Sequence, residues 1–290
     1  MSEWQQVLGI AYLAVEWVLR ILLLAIVPGQ RGAAAARSWL VLIFFLPVPG
    51  LLLYLLIGRP LFPGWRSARV SAFAPHRDAV LRQIEPWTAY ASDAAAGRLA
   101  QELGGYPAVE GNKVELLIAY DKCIDRLVSD IDEAQRTVRI LIYIFASDAT
   151  GKRVIAALGR AAARGVACHV LIDPVGSMRW LRQTERLLRS AGVSVREVLP
   201  FRLLRRRTRR DMRNHRKLFL IDGKIGYVGS QNLIDKEFRS GISNCEVVAR
   251  VEGPAVVEME TVFLGDWYLE TEQLLASSPA PQCPNPPCPD

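Results

Sequence analysis

One stretch of this 290-residue chain gathers side chains that could do chemistry together. From Asn214 to Asn232 it reads N-H-R-K-L-F-L-I-D-G-K-I-G-Y-V-G-S-Q-N. His215, Lys217 and Asp222 fit H-x-K-x4-D, and Gly229, Ser230 and Asn232 follow as G-S-x-N. At average composition, six such matches at fixed spacing arise below roughly once in ten million positions. His215 and Lys217 are two apart, so on an extended strand they share a face. Asp222-Gly223 between two short apolar runs is a strong hairpin signal, and the return strand brings Ser230 and Asn232 back beside that pair. An imidazole, an ammonium, a hydroxyl and an amide then converge where a phosphodiester could sit. Histidine is a nucleophile near neutral pH, lysine places a point charge on phosphate oxygens, and Gly229 lets the backbone approach closely. Asp222 has a second explanation, since Asp before Gly is ordinary turn chemistry. This chemistry needs no metal or cofactor, and the sequence shows no His/Asp cluster with metal-ligand spacing.

The remaining histidines read as structural. His169 lies in the apolar run A-C-H-V-L-I-D with no lysine two residues on, and His76 has no partner in sequence. Five widely spaced cysteines without a CxxC pair exclude a disulfide scaffold and point to a reduced, cytoplasm-facing domain. The net charge of +7 is local. Arg202 to Lys217 holds eight Arg and one Lys against Asp211, so the rest of the chain is close to neutral. Such a strip suits anionic headgroups or nucleic acid, or is simply a solvated loop.

The elements that must position the motif alternate strand and helix. Strands are predicted at Val114–Ile118, Val138–Phe145, Val166–Ile172, Val193–Leu199, Lys217–Ile221, Lys224–Val228 and Cys245–Val251. Helices are predicted at Asp121–Gln135, Gly151–Arg164, Arg179–Ser190 and Pro254–Gln273. The order implies an α/β fold, a sheet flanked by helices, over residues 112–276. Ahead of it, residues 61–111 read as a connector carrying a helix from Pro75 to Leu103, and residues 277–290 as a Pro-rich extended tail.

Residues 1–60 read as a transmembrane helical hairpin. A first span runs from Val7 to Val27, with Glu16 and Arg20 four apart on one face, able to neutralise each other. A turn is expected at Pro28-Gly29, then a second, uncharged span, Ser38–Gly58, kinked at Pro47 and Pro49. A cleaved signal peptide fits less well, because Glu3 is the one charged residue before Glu16. Arg59, Arg66 and Arg69 after the second span favour a multi-pass inner-membrane protein with a cytoplasmic catalytic domain.

The motif resembles the phospholipase D superfamily, and the wider chain resembles the bacterial cardiolipin synthases. The resemblance runs to about residue 276 through F-L-P-V-P-G-L-L-L-Y-L-L-I-G-R (Phe45 to Arg59), E-G-N-K-V-E-L-L (Glu110 to Leu117), I-Y-I-F (Ile142 to Phe145), V-L-I-D-P-V-G-S (Val170 to Ser177) and V-E-G-P-A-V (Val251 to Val256). It implies a phospholipase D-like mixed sheet and phosphatidyl transfer through a phosphohistidine on His215, joining two phosphatidylglycerol molecules. Lys217, Gly229, Ser230 and Asn232 would hold the phosphoryl group, with Asp222 counted among the catalytic residues. Glu246 falls where the family places an acid that orients the imidazole, although Asn244 and Cys245 replace the usual Trp-Arg before it. The family carries two such motifs, the second histidine acting as general acid, and these 290 residues hold one. A homodimer, or a partner chain supplying a second motif, is therefore expected. The competing functions are a single-motif dimeric phosphodiesterase acting on nucleic acid and an inactive lipid-binding half-domain. The apolar N-terminus favours anionic phospholipid and the membrane over nucleic acid as partner.

Overall fold

The computed structural model describes residues 3–58, 63–88, 95–200 and 212–279. Most of the basic strip and nearly all of the Pro-rich tail lie outside the described residues. The described residues gather into two compact units, one up to Pro63 and one from Gly64 onward.

The first unit opens with α1, Glu3–Gln30, 28 residues without a break. At 1.5 Å per residue it is about 42 Å long, and it is the one helix among the described residues long and apolar enough to cross a bilayer. The expected turn at Pro28-Gly29 is displaced, since both residues stay within α1 and the chain turns after Gln30. The expected second span is not one helix. α2 covers Ala33–Phe45, Leu46 leaves helical geometry (φ −132°, ψ 72°), and α3 covers Pro47–Leu53 before a π-helical turn, Tyr54–Gly58. Proline disfavours helical geometry in the residue before it and cannot donate to a preceding turn. At the start of a new helix the same residues lose nothing, because the first N–H groups have no intrahelical partner. Pro47 and Pro49 therefore end one helix and begin another, where a kink was expected.

The second unit begins with α4, Gly64–Leu81, followed by a 3₁₀ turn, Arg82–Trp87, and α5, Ala95–Gly104. Then come β1 (Lys113–Leu117), α6 (Tyr120–Glu133), β2 (Thr137–Ile142), α7 (Ala149–Ala163), β3 (Ala167–Ile172), α8 (Leu181–Ser190), β4 (Ser194–Glu197), β5 (Leu218–Ile221), β6 (Ile225–Gly229), β7 (Val248–Glu252) and α9 (Ala255–Thr271). The connector expected over residues 61–111 is corrected at its start. α4 begins at Gly64, passes through Pro75 and packs along α9, with Phe73 against Tyr268 (5.8 Å between ring centroids) and Arg66 Nη2 2.7 Å from Glu270 Oε1.

The seven strands form one mixed sheet in the order β1-β7-β6-β5-β2-β3-β4. β2, β3 and β4 are parallel, joined by helical crossovers, and the remaining pairs are antiparallel. Alternation along each strand divides the core. Val138, Ile140, Ile142, Val170, Ile172, Phe219 and Ile221 pack with residues of α6, α7 and α8 on one face. Leu141, Leu171, Leu218 and Leu220 pack with Phe263 and Trp267 of α9 on the other. The interior strand β2 is thus apolar on both faces beyond its first residue, Thr137, except at Arg139, which points to the α9 side.

Arg139 is matched there by Glu260 of α9, and both side chains are almost wholly buried. Glu260 also accepts from the Ser278 backbone N–H (2.9 Å) and hydroxyl (2.7 Å), while Arg139 donates to the Ala276 carbonyl. The pair therefore straps residues 276–278 across the start of β2, where the Ser278 and Thr137 hydroxyl oxygens are 3.4 Å apart. Replacing Glu260 leaves the guanidinium buried without its counter-charge. Glu260→Ala is expected to cost about 3–5 kcal/mol of stability, read from urea unfolding of the detergent-solubilised protein by tryptophan fluorescence.

Candidate active site

The register brings five strand ends together. β2 and β3 finish at Ile142 and Ile172; β5 starts beside the end of β2, with Leu218 opposite Leu141. β6 finishes there too, with Val228 opposite Leu218, and β7 starts there, with Val248 opposite Gly229. In open α/β sheets the carboxyl ends of the parallel strands are where ligand sites form.

His215 and Lys217 lie in the extended lead-in to β5 rather than in the strand itself. Their side chains meet: Lys217 Nζ is 3.1 Å from His215 Nδ1, 3.3 Å from Nε2 and 2.9 Å from the His215 carbonyl oxygen. The imidazole is exposed and the lysine is buried. Tyr143, just past β2, packs its ring 4.5 Å from that of His215 and 5.5 Å from Lys217 Nζ.

The lead-in is held by a carboxylate that sequence reasoning passed over. Asp173, at the end of β3, is fully buried. Its Oδ1 accepts from the N–H groups of Val175 (2.9 Å) and Gly176 (3.0 Å), and its Oδ2 from Asn214 N–H (3.1 Å). Asn214 Nδ2 and Arg216 Nη1 both donate to Asp266 Oδ2 of α9, at 3.0 and 2.8 Å. Residues 214 and 216 are thereby tied down, and the alternate positions 215 and 217 turn to the opposite side. Asp173 stood in the quoted V-L-I-D-P run, so an acid ending a buried strand was the available signal.

Ser230 and Asn232 reach the same end of the sheet. Ser230 Oγ accepts from Val247 N–H at 3.1 Å, and Asn232 Oδ1 accepts from Ile144 N–H at 3.0 Å. Gly229 is required for strand packing: a Cβ there would sit 2.3 Å from the Val247 carbonyl oxygen and 2.7 Å from Val248 Cα. Glu246 precedes β7, and its charge acts on Lys217. Burial pulls the Lys217 ammonium below the ordinary lysine range, and the Glu246 carboxylate opposes that shift.

Asp222 corrects an expectation. It occupies the β5–β6 turn with φ 55°, at the end of the sheet opposite His215. Five residues of extended chain separate it from Lys217, about 16 Å. Its carboxylate accepts from the N–H groups of Gln135, Arg136 and Thr137, each at 2.8 Å. It joins the β5–β6 turn to the start of β2 and does not enter the cluster around His215. His169 is half-buried edge-on to Trp267, 4.9 Å between centroids, and burial together with the Arg139 charge lowers its pKa. Among the described residues no group of three or more His, Cys, Asp or Glu could hold a metal ion.

Residues 127–267 match the family described as "Cardiolipin synthase, PLD-like domain", and residues 12–59 match "Phospholipase_D-nuclease N-terminal". Residues 127–267 thus correspond to the phospholipase D-like domain of cardiolipin synthases. Relatives include Cardiolipin synthase A of Pectobacterium carotovorum, 32% identical over 96% of this chain and 58% of that protein. Cardiolipin synthase A of Erwinia tasmaniensis is 33% identical over 96% of this chain and 59% of that protein. The chain thus spans a little under three-fifths of the length of the cardiolipin synthases it matches. Among solved structures, NucT from Helicobacter pylori aligns with 55% of this chain and 98% of its own at a TM-score of 0.45 and 20% identity.

In this phospholipase D-like domain, Asp222 is thus a turn-locking residue by geometry. Asp222→Ala is expected to lower stability by about 3 kcal/mol, because three part-buried backbone N–H groups lose a charged acceptor. Asp222→Asn is expected to lose less, since an amide oxygen still accepts and Asn tolerates positive φ. Urea midpoints of the two variants against wild type test this.

Proposed function

We propose that this chain is a membrane-bound phosphatidyltransferase component of the cardiolipin synthase type. The observation that carries the reading is the contact of the buried Lys217 ammonium with the exposed His215 ring, inside a domain matched by that family. An exposed imidazole can attack a phosphodiester from solvent or lipid, and an ammonium beside it attracts the anionic oxygens.

In the first step a His215 ring nitrogen forms a bond to the phosphorus of phosphatidylglycerol while the phosphorus–glycerol oxygen bond breaks. The departing oxygen takes a proton from a second imidazole. In the second step that imidazole takes the proton from a hydroxyl of another phosphatidylglycerol. The oxygen attacks phosphorus, His215 is released, and cardiolipin results. Lys217 stabilises the charge gathered on the phosphoryl oxygens, with Ser230 and Asn232 at its border. Glu246 keeps Lys217 charged.

One His215 cannot attack and donate in the same step. The second imidazole comes from another copy of this chain or from a partner carrying a second H-x-K-x4-D motif. General acid help is worth about a hundredfold or more. Mixing wild-type protein in detergent with an excess of His215→Ala should therefore titrate cardiolipin formation away as mixed assemblies form. Activity that tracks only the number of wild-type chains overturns the shared-site reading.

The Lys217 environment gives a pH test. A lysine whose pKa is lowered keeps its charge only below that lowered value, so activity should fall on the alkaline side at lower pH than an ordinary lysine dictates. Glu246 raises the value, so Glu246→Gln should move the alkaline limb of kcat/KM to still lower pH. An unmoved limb would show that Glu246 does not act through Lys217.

The apolar first unit supports placing the domain at a membrane, and the arginines after Gly58 support its cytoplasmic face. The apolar N-terminus also favours phospholipid over nucleic acid as substrate.

A further inference from the structure

The apolar segment after α1 contains an antiparallel pair within itself. Trp39 of α2 meets Tyr54 edge-on, 5.4 Å between ring centroids. A Cβ on Gly50 would lie 3.0 Å from Ile43 Cα, so the two backbones touch where α2 and α3 cross. The contacts continue back to the start of α2, where Tyr54 Oη bonds Gln30 Oε1 at 3.1 Å and Arg31 Nε donates to the Gly58 carbonyl at 2.7 Å. Gly58 has therefore returned to the end of α1 from which α2 set out.

We infer that residues 33–58 enter and leave the bilayer on one side, so that α1 is the only crossing in this unit and the N-terminus faces away from the catalytic unit. The inference rests on the membrane reading above.

Lengths agree with it. The 13 residues of α2 rise about 20 Å and the 12 residues from Pro47 to Gly58 about 18 Å, against about 30 Å of hydrocarbon. Five residues separate Gly58 from Gly64, too few to cross by themselves. The tip needs protection, because non-helical backbone at membrane depth persists only where its polar groups are satisfied. Arg20 supplies this: its Nε donates to the Phe44 carbonyl at 3.1 Å, and its charge is met by Glu16 at 3.0 Å. Arg20 lies ten residues before Gln30, about 15 Å along α1, which is mid-bilayer depth. The charged pair in an otherwise apolar helix thus has a purpose, the capping of a reversal inside the membrane.

Charge distribution agrees independently. With a re-entrant segment, Arg31, Arg37 and Arg59 stand on one side together with the domain, while only Glu3 precedes Glu16 on the other. A two-span hairpin would place Arg31 and Arg37 across the membrane from the domain, against the positive-inside bias.

The test uses the full chain in sealed inner-membrane vesicles of known orientation, with an epitope tag ahead of Met1. One variant carries Ala35→Cys with Cys245, Cys283 and Cys288 changed to Ser. A second changes only Cys283 and Cys288, so that the exposed Cys245 reports the side of the catalytic unit. Cys123 and Cys168 stay, since burial pushes their thiols up to about 12 and about 11 and hides them. A membrane-impermeant maleimide should reach the Ala35→Cys chain and Cys245 from the same face, and protease added to that face should spare the tag. If protease removes the tag from the face on which Cys245 is labelled, α1 is not the only crossing and the inference fails while the membrane reading stands. Release of the chain by an alkaline carbonate wash overturns both.

Discussion

The placement of His215 and Lys217 depends on the buried carboxylate of Asp173. The lead-in to β5 has no ladder of its own, so residues 212–217 would be free to pivot about Leu218. Asp173 removes that freedom by accepting from Asn214 N–H while also gripping the turn that follows β3. Asp266 then holds the side chains at 214 and 216 from the α9 side. With alternate residues fixed, the imidazole and the ammonium have one direction left. Orientation of this kind stands in for reactant entropy, one of the large contributions a protein scaffold can make to a transfer reaction between bound groups.

The two ends of the sheet divide their duties. At one end Ser230 and Asn232 bind backbone N–H groups of Val247 and Ile144, and Lys217 meets the His215 imidazole. At the other, Asp222 binds three amides and the Arg139–Glu260 pair holds residues 276–278, all of it stability. The first unit follows a related logic, in that its arginines near the helix turns find partners. Arg20 meets Glu16 and the Phe44 carbonyl, and Arg31 meets the Gly58 carbonyl.

Much of the domain was legible because its signals are local. The Asp222-Gly223 pair announced the hairpin, β-branched runs announced the buried strands, and the two-residue spacing of His215 and Lys217 announced a shared direction. What remained hidden depends on contacts far apart in the chain. Tyr143 beside His215 and Asp173 beneath Asn214 directly follow other strands, β2 and β3, and are brought in by sheet order. Between the two explanations of Asp222 the sequence could not choose, because a motif records spacing without recording which end of a strand each residue occupies. For the second apolar segment hydropathy predicts one span, because it counts residues and is blind to direction. Twenty-one uncharged positions look the same whether the chain crosses once or folds back, and only the Leu46-Pro47 break distinguishes them.

The strap at Ser278 carries a geometric consequence for whatever polypeptide is joined beyond it. Ser278 is pinned beside Thr137 at the start of β2, while His215 waits beyond the finish of that strand. A downstream segment must first travel the height of the sheet, about 16 Å, before any of its side chains can touch the imidazole. Short appendages grafted after Pro279 therefore remain spectators by distance alone. A contributor to the reaction would need either a linker of more than about five extended residues or its own folded body large enough to bridge that height.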